Sequence, residues 1–201
     1  MHTTHLLLLA LPPLTLAQTL PSPLLPWQLT TLTTSSPSNR PGNSPYSSLF
    51  LSITDPNTIP FTAPPSYHGP AISLPPISAN CSVRWNALAE QPFGRVTPCA
   101  DVAPGSGRWT VEMGPGNATA SASATGDFRV RVVLERSVVL HDGRGVVSLV
   151  FEGEGGFSVG GELRMVCGAS GVCSSGLKEG TGPVLVRQVL RERRCVYGVC
   201  E

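Results

Sequence analysis

Residues 126–173 contain the clearest structural pattern of the chain, which includes the run Asp127-Phe128-Arg129-Val130-Arg131-Val132. Polar and apolar residues alternate along this run. Successive side chains of a strand point to opposite faces of a sheet, so the apolar residues share one face and the arginines share the other. The run therefore predicts a strand with one buried face.

A second apolar strand, over residues 146–151, follows the turn sequence His141-Asp142-Gly143-Arg144-Gly145. Asp-Gly between two apolar runs is typical of a hairpin, because a tight primed turn needs positive φ at both central residues. The glycine-rich run 153–156 should end this strand, and residues 157–166 should form a third. The pattern predicts a three-stranded antiparallel meander that ends near Cys167.

The N-terminus, residues 1–17, has the composition of a secretory signal peptide. It has no carboxylate, an apolar run over residues 6–16, and small residues before an expected cleavage between Ala17 and Gln18. The apolar run is shorter than the roughly 20 residues that cross a bilayer. We therefore expect a secreted, extracellular protein, with an N-terminal anchor as the alternative.

Charge and cysteine content narrow the class further. The formal net charge of +1 gives no electrostatic footprint for nucleic acid or an anionic membrane, so neither is expected as a partner. Six cysteines in a secreted chain favour three disulfides. Their spacing favours the local pairs Cys81–Cys99, Cys167–Cys173 and Cys195–Cys200. The alternative joins Cys167 or Cys173 to the C-terminal pair.

Residues 18–45 form a Pro/Ser/Thr-rich segment in which we expect a first strand near Trp27. The domain core is predicted at 46–201, with a cysteine-containing C-terminal tail. Loops are expected at about 34–46 and at 56–79, where prolines and small polar residues dominate.

Further alternating runs complete the fold prediction. They place Leu49, Leu51 and Ile53 on one strand face, and Trp109, Val111 and Met113 on another. Residues 80–85 and 183–190 also have strand composition. About eight strands without a long helix predict an all-β fold, a compact antiparallel barrel or sandwich.

The sequence contains no set of residues that commits it to catalysis. Gly156-Phe157-Ser158-Val159-Gly160 matches G-x-S-x-G, but a strand pattern follows it and no histidine lies after His141. A glycine-rich hairpin explains it better. The carboxylates of Glu152, Glu154 and Glu162 could flank a sugar, as glycosidases require, although a solvated sheet face is the simpler interpretation.

His141 and Asp142 are neighbours in an expected hairpin turn, where adjacent side chains diverge, so we do not expect them to form a general base. His68 also lies in loop-like sequence, and no C-x-x-C pair is present, so zinc is not expected. We predict no catalytic residue, no metal site and no cofactor.

Two kinds of modification site are present. Asn117-Ala118-Thr119 is a glycosylation sequon in an expected loop, and Asn80-Cys81-Ser82 fits formally. The run Arg191-Glu192-Arg193-Arg194 is interpreted as a solvated strand end. A basic patch for acidic partners and a processing site after Arg194 are the alternatives.

The order of several marks resembles one family, the small secreted fungal proteins with AA1-like domains that are related to the major Alternaria allergen. The marks are Trp27, Asp55-Pro56-Asn57, Cys81-x3-Trp85, Cys99-Ala100-Asp101, Arg108-Trp109, Gly126-Asp127-Phe128-Arg129-Val130 and the pair Cys167 and Cys173. The resemblance covers about residues 27–189.

The resemblance implies a compact β-barrel with bridges matching Cys81–Cys99 and Cys167–Cys173, and a non-enzymatic role at the fungus–host interface. Family members are described as effector-like or elicitor-like, as binders of plant defence proteins and, for the allergen, of a flavonoid. The 56–79 insert, Cys195 and Cys200 depart from the family. No cysteine precedes Cys81, so a disulfide-linked dimer does not carry over.

These inferences lead to one functional expectation. We expect a secreted binding protein, an effector-like or allergen-like monomer or weak non-covalent oligomer. Its partner would be a host protein, a cell-wall component or a small apolar ligand. The alternatives are a structural cell-wall glycoprotein and a secreted carbohydrate-active enzyme.

Overall fold

The computed structural model describes residues 23–61, 72–101, 107–116, 123–140, 145–180 and 182–198. Several predicted features lie outside these residues: the signal peptide with Ala17 and Gln18, His68, Asn117, the pair His141 and Asp142, and Cys200. In the described part of the chain, no helix is long and apolar enough to cross a membrane.

The described residues form strands, as the sequence predicts, and the strands pair with one another in the antiparallel sense. In chain order the strands are β1 (Trp27–Ser36), β2 (Tyr46–Asp55), β3 (Ile59–Phe61), β4 (Ile72–Leu74), β5 (Ile77–Asn86), β6 (Val96–Pro98), β7 (Ala100–Asp101), β8 (Arg108–Pro115), β9 (Asp127–Val139), β10 (Gly145–Ser158), β11 (Leu163–Cys167), β12 (Cys173–Leu177), β13 (Val184–Val186) and β14 (Gln188–Gly198).

The strands form two main sheets. Sheet 1 has the order β11-β12-β1-β2-β5-β7, and β13 pairs with β1 on the same edge as β12. Sheet 2 has the order β14-β10-β9-β8-β6, and β3 and β4 pair separately. Neither order closes on itself within the described residues. The fold is thus an open sandwich, one of the two architectures predicted, and the described residues do not close into the barrel that the AA1-like resemblance implies. It has more strands than the eight or so expected.

The core lies between the sheets and follows the predicted alternation. In sheet 1 the inward residues of β2 are Leu49, Leu51 and Ile53, and none is more than 1% exposed. In sheet 2 the predicted inward faces of β8 and β9 are buried as well. At the centre, Trp27 of β1 meets Trp109 of β8 edge to face, with 5.1 Å between the ring centroids.

The predicted meander is wrong in its third strand. β10 does not end at the glycines but continues through them to Ser158, in register with β9 over its whole length. β11 then leaves for sheet 1, and the second neighbour of β10 is β14. Gly153 does not end the strand but faces the core within it. A Cβ at this position would lie 3.1 Å from the Trp27 ring, so the close packing here requires glycine.

The predicted single strand at 183–190 is likewise two strands. β13 pairs with β1 in sheet 1, and after a break at Arg187 the chain continues as β14 in sheet 2. The C-terminal region therefore crosses between the sheets, which period-two alternation along one segment does not reveal.

Both predicted long loops are shorter than expected. β1 extends to Ser36 inside the expected loop at 34–46, and it is an inner strand of sheet 1 between β12 and β2. The expected loop at 56–79 contains β3, β4 and the start of β5. The serines and threonines of β1 gave that strand the composition of a linker.

Two predicted local disulfides are confirmed. Cys81–Cys99 ties β5 of sheet 1 to the connection between β6 of sheet 2 and β7 of sheet 1. Cys167–Cys173 joins the paired ends of β11 and β12. Cys195 is also disulfide-bonded, whereas its predicted partner Cys200 lies outside the described residues.

A buried polar clamp fixes the start of β1. The side-chain amide of Asn57 accepts a hydrogen bond from the N–H of Leu25 and donates one to its carbonyl, each at 2.9 Å. These are the two backbone groups that a neighbouring strand would otherwise bind. Asp55 accepts hydrogen bonds from the Asn57 amide at 2.6 Å and from Gln188 at 3.2 Å. The turn after β2, the first residues of β14 and the segment before β1 are thereby held together.

Gly153→Ala tests the close packing at the centre of the sandwich. A Cβ there would lie 2.7 Å from the Arg187 backbone oxygen and 3.1 Å from the Trp27 ring, so the backbones must shift. We expect a loss of about 1–3 kcal/mol of unfolding free energy, measured by denaturant unfolding.

Gly156→Ala is the matched control, since a Cβ at that position meets nothing within 4 Å. Its stability should stay unchanged or rise slightly because alanine loses less backbone entropy in a strand. Equal losses in both variants would contradict the proposed role of Gly153.

Candidate functional site

The outer face of sheet 1 is a lattice of small hydroxyl side chains around one aromatic ring. The register places Ser174, Ser35 and Ser48 in one row across β12, β1 and β2. The next row places Thr33, Phe50 and Ser82 across β1, β2 and β5, and a third places Thr31, Ser52 and Asn80. We define these residues as the hydroxyl face: Thr31, Thr33, Ser35, Ser48, Phe50, Ser52, Asn80, Ser82 and Ser174.

Most hydroxyl groups of this face make no hydrogen bond to the described residues. Ser52 donates to the Asn80 side-chain oxygen at 2.7 Å, which occupies part of the third row. The remaining hydroxyl groups of the face form no hydrogen bond with the described part of the protein; they belong to Thr31, Thr33, Ser35, Ser48, Ser82 and Ser174. Each can donate one hydrogen bond and accept others.

Phe50 is the apolar centre of the hydroxyl face. Its side chain is 38% exposed, between Thr33 and Ser82 on the neighbouring strands. Strands in a sheet lie about 4.8 Å apart and alternate residues on one strand about 7 Å apart, so several hydroxyl groups lie within reach of one molecule stacked on the ring.

Two arginines border the hydroxyl face. The Arg84 guanidinium stacks on the Tyr46 ring at 4.1 Å from its centroid, at the β2–β5 end. Arg164 of β11 lines a groove of about 600 Å³, together with Glu179 and the hydroxyl residues Thr33, Ser35 and Ser48. The residues of the defined face are themselves uncharged, and the charged groups beside them include Arg84, which pairs with Ser48 in the register, and Arg164 and Glu179 along the groove.

The outer face of sheet 2 has the opposite character. Glutamates and arginines alternate across its strands, and we define them as the charged face: Glu112, Arg129, Arg131, Glu135, Glu152, Glu154, Arg191 and Arg194. Arg131 bonds Glu112 at 3.2 Å and Glu152 at 3.0 Å, while Arg191 lies 3.3 Å from Glu152. The remaining carboxylates pair with Arg129 or Arg194. These charges neutralise one another.

The ion pairs shift the acidities of the carboxylates. Hydrogen bonding from Arg131, followed by that from Arg191, lowers the pKa of Glu152 below its ordinary value of 4.5. The Ser148 hydroxyl, followed by Arg194, lowers the pKa of Glu135. Both groups are therefore stabilised as anions inside the network.

Each carboxylate considered for catalysis has a polar partner in this arrangement. Glu152 and Glu154 belong to the charged face, each bound to arginine. Glu162 lies in the turn after β10 and accepts a hydrogen bond from the Ser158 N–H at 3.2 Å. Ser158 itself ends β10 and is followed by a turn and β11, so the strand–turn–helix of a nucleophile elbow is missing there.

Other predicted sites have a clear place in the fold. Arg193 and Arg194 lie within β14, paired with β10, so a protease would have to detach that strand before cleaving after Arg194. Asn80 projects from the hydroxyl face, and Cys81 beside it is bridged to Cys99. Among the described residues, no group of three or more His, Cys, Asp or Glu side chains could hold a metal.

The hydroxyl face was missed in the sequence because its serines and threonines have the composition of a linker. Its signal was nevertheless present. Alternate positions of β2 are occupied by Tyr46, Ser48, Phe50 and Ser52, whose side chains lie on the face away from the buried leucines. Applying the alternation to the polar residues as well as to the apolar ones would have placed these hydroxyl groups on a common face.

Comparison of the chain with protein-family models, with curated proteins and with solved structures finds no match. The assignment of a function therefore depends on the two outer faces of the sandwich. The similarity to AA1-like proteins stays a prediction from the order of residues.

Glu152→Gln tests the charge network through its pH dependence. A carboxylate whose pKa is lower in the folded protein stabilises the fold above its unfolded pKa, and this stabilisation is lost as the pH falls through the folded value. The wild-type melting temperature should thus fall between about pH 5 and pH 3, and less steeply in Glu152→Gln.

At neutral pH the variant should lose no more than about 1 kcal/mol of unfolding free energy. Glu90→Gln is the control, because Glu90 is half-exposed and lies 3.8 Å from Arg95, outside the network. Its melting curve should follow wild type at each pH. If the melting temperature of Glu152→Gln falls with pH as steeply as that of wild type, the ion-pair network is not the cause of the acid sensitivity.

Proposed function

We propose that the protein is a secreted, non-enzymatic binding protein that acts at a host or cell-wall interface, in the manner of fungal effector-like and allergen-like proteins. The observation that carries the proposal is the contrast between the outer faces. The charged face satisfies its own charges, whereas the hydroxyl face presents groups that make no bond within the described protein.

Three features support an extracellular role. The N-terminal sequence has the pattern of a signal peptide. The described domain is disulfide-bonded, and stable structural disulfides are typical of secreted proteins. The bridges Cys81–Cys99 and Cys167–Cys173 are also the pairs that the AA1-like resemblance implies.

The described cysteines are all bonded, so none of them offers a free thiol for a covalent dimer. This favours a monomer or a weak non-covalent oligomer. The alternative of a carbohydrate-active enzyme is weakened because Glu152 and Glu154 are bound to arginines. The alternative of a wall glycoprotein is weakened because β1, within the Ser/Thr-rich segment, is an inner strand of sheet 1.

Retention on extracellular material tests this proposal. Purified, fully disulfide-bonded protein would be incubated with isolated cell walls and with extracellular extract of a host tissue, and the bound fraction measured. Ser82→Glu places a carboxylate beside Phe50 on the hydroxyl face and should reduce retention severalfold, because a charge loses its hydration when a neutral partner covers it.

Ser137→Glu is the matched control, an exposed serine of β9 on the outer face of the opposite sheet. It should bind like wild type. Equal retention of both variants, or release of soluble sugar that stops in a Glu152→Gln and Glu154→Gln double variant, would refute the proposal.

A further inference from the structure

The chemistry of the hydroxyl face indicates what kind of molecule can bind there. Its polar groups are neutral hydroxyls and one amide, which both donate and accept hydrogen bonds. A partner that satisfies them must offer donors and acceptors at close spacing and need carry no charge. It must also have an apolar surface for Phe50, which is 38% exposed among them.

Two classes of macromolecule fit this face poorly. Nucleic acids require several cations against their phosphates, whereas cations occur here at the borders, as Arg84 and Arg164. The buried centres of protein–protein interfaces are depleted in serine, and their energetic hot spots are poor in serine and threonine. Serine and threonine make up most of the hydroxyl face.

A neutral polysaccharide fits both requirements. A pyranose ring carries hydroxyl groups around its edge and C–H bonds on its faces. Its C–H face can stack on Phe50, since aromatic rings are negative at their faces. Phe50 is surrounded on three sides by Thr33, Ser48 and Ser82. Their hydroxyl groups can then form hydrogen bonds with the hydroxyls of the sugar ring.

We propose that the hydroxyl face is a binding site for a neutral polysaccharide chain, with Phe50 as its stacking platform and Thr33, Ser48 and Ser82 as hydrogen-bonding groups. This inference rests on the proposed binding function and names its ligand class. It also requires that Asn80 be unglycosylated, because a glycan attached there would cover the third row of the face.

The test is co-sedimentation with insoluble cellulose, β-1,3-glucan and chitin, and with calcium-gelled polygalacturonate as a charged polysaccharide. Wild type should bind at least one neutral polymer more tightly than the charged one. Phe50→Ala should weaken that binding about tenfold, the effect of losing one aromatic stacking contact. Phe50→Tyr keeps the ring and should keep the binding.

Leu88→Ala is the control for removing an exposed apolar side chain, since Leu88 is 68% exposed in the turn after β5 and is not part of the hydroxyl face. It should bind like wild type. Melting curves identify any variant that has lost its fold, and Phe50→Tyr together with Ser82→Glu then carries the test. Peptide mapping of protein from the native source should find Asn80 unmodified.

The remaining outcomes separate the two proposals. If the protein is retained on extracellular material in a Ser82-dependent manner but binds none of the neutral polymers, the polysaccharide proposal is wrong and the proposed binding function is not. Polymer binding that Phe50→Ala and Ser82→Glu leave unchanged would overturn this site. The absence of both kinds of retention would overturn both proposals.

Discussion

The packing of Trp27 against Trp109 is the contact on which the sandwich depends. Each ring comes from a different sheet, both are at most 1% exposed, and they meet edge to face at an interplanar angle of 61°. Gly153 allows this approach because it has no side chain. A Cβ at this position would collide with the Trp27 ring and the Arg187 carbonyl. The spacing of the sheets is therefore set at one crowded point, around which the remaining apolar residues fill the core.

Burial of one face of each strand determines which residues the protein presents to its surroundings. Strand side chains alternate with a period of two, so fixing the inward residues of a regular strand also fixes its outward ones. On β2, burial of Leu49, Leu51 and Ile53 directs Ser48 and Phe50 outward. On β9, burial of the valines directs Arg129 and Arg131 outward. One neutral face and one self-neutralised charged face are consequences of a single core.

How much of this fold could be predicted from sequence depended on the kind of residue involved. Runs such as 127–132 and 108–113 were predicted correctly because apolar burial on one face leaves an alternating pattern. Gly153 was misinterpreted as a strand end, because a glycine that breaks a strand and one that permits close packing have the same sequence. The crossings to β11 and β14 depend on contacts between distant segments, which local patterns do not record.

The candidate site was missed for a related reason. A Ser/Thr-rich strand and a Ser/Thr-rich linker share a composition, and only the buried residues that alternate with Ser48 and Ser82 distinguish them. The cysteine pairs were easier, since short separations of 18 and 6 residues made Cys81–Cys99 and Cys167–Cys173 the favoured bridges.

The most direct test of the account is a backbone amide NMR titration of the disulfide-bonded protein with a soluble neutral glucan oligosaccharide. The account predicts saturable shifts centred on Thr33, Ser48, Phe50 and Ser82, with little change at Arg131 on the opposite sheet. Shifts centred on the charged face would contradict it. The absence of shifts with an oligosaccharide of a polymer that the protein co-sediments with would contradict it as well.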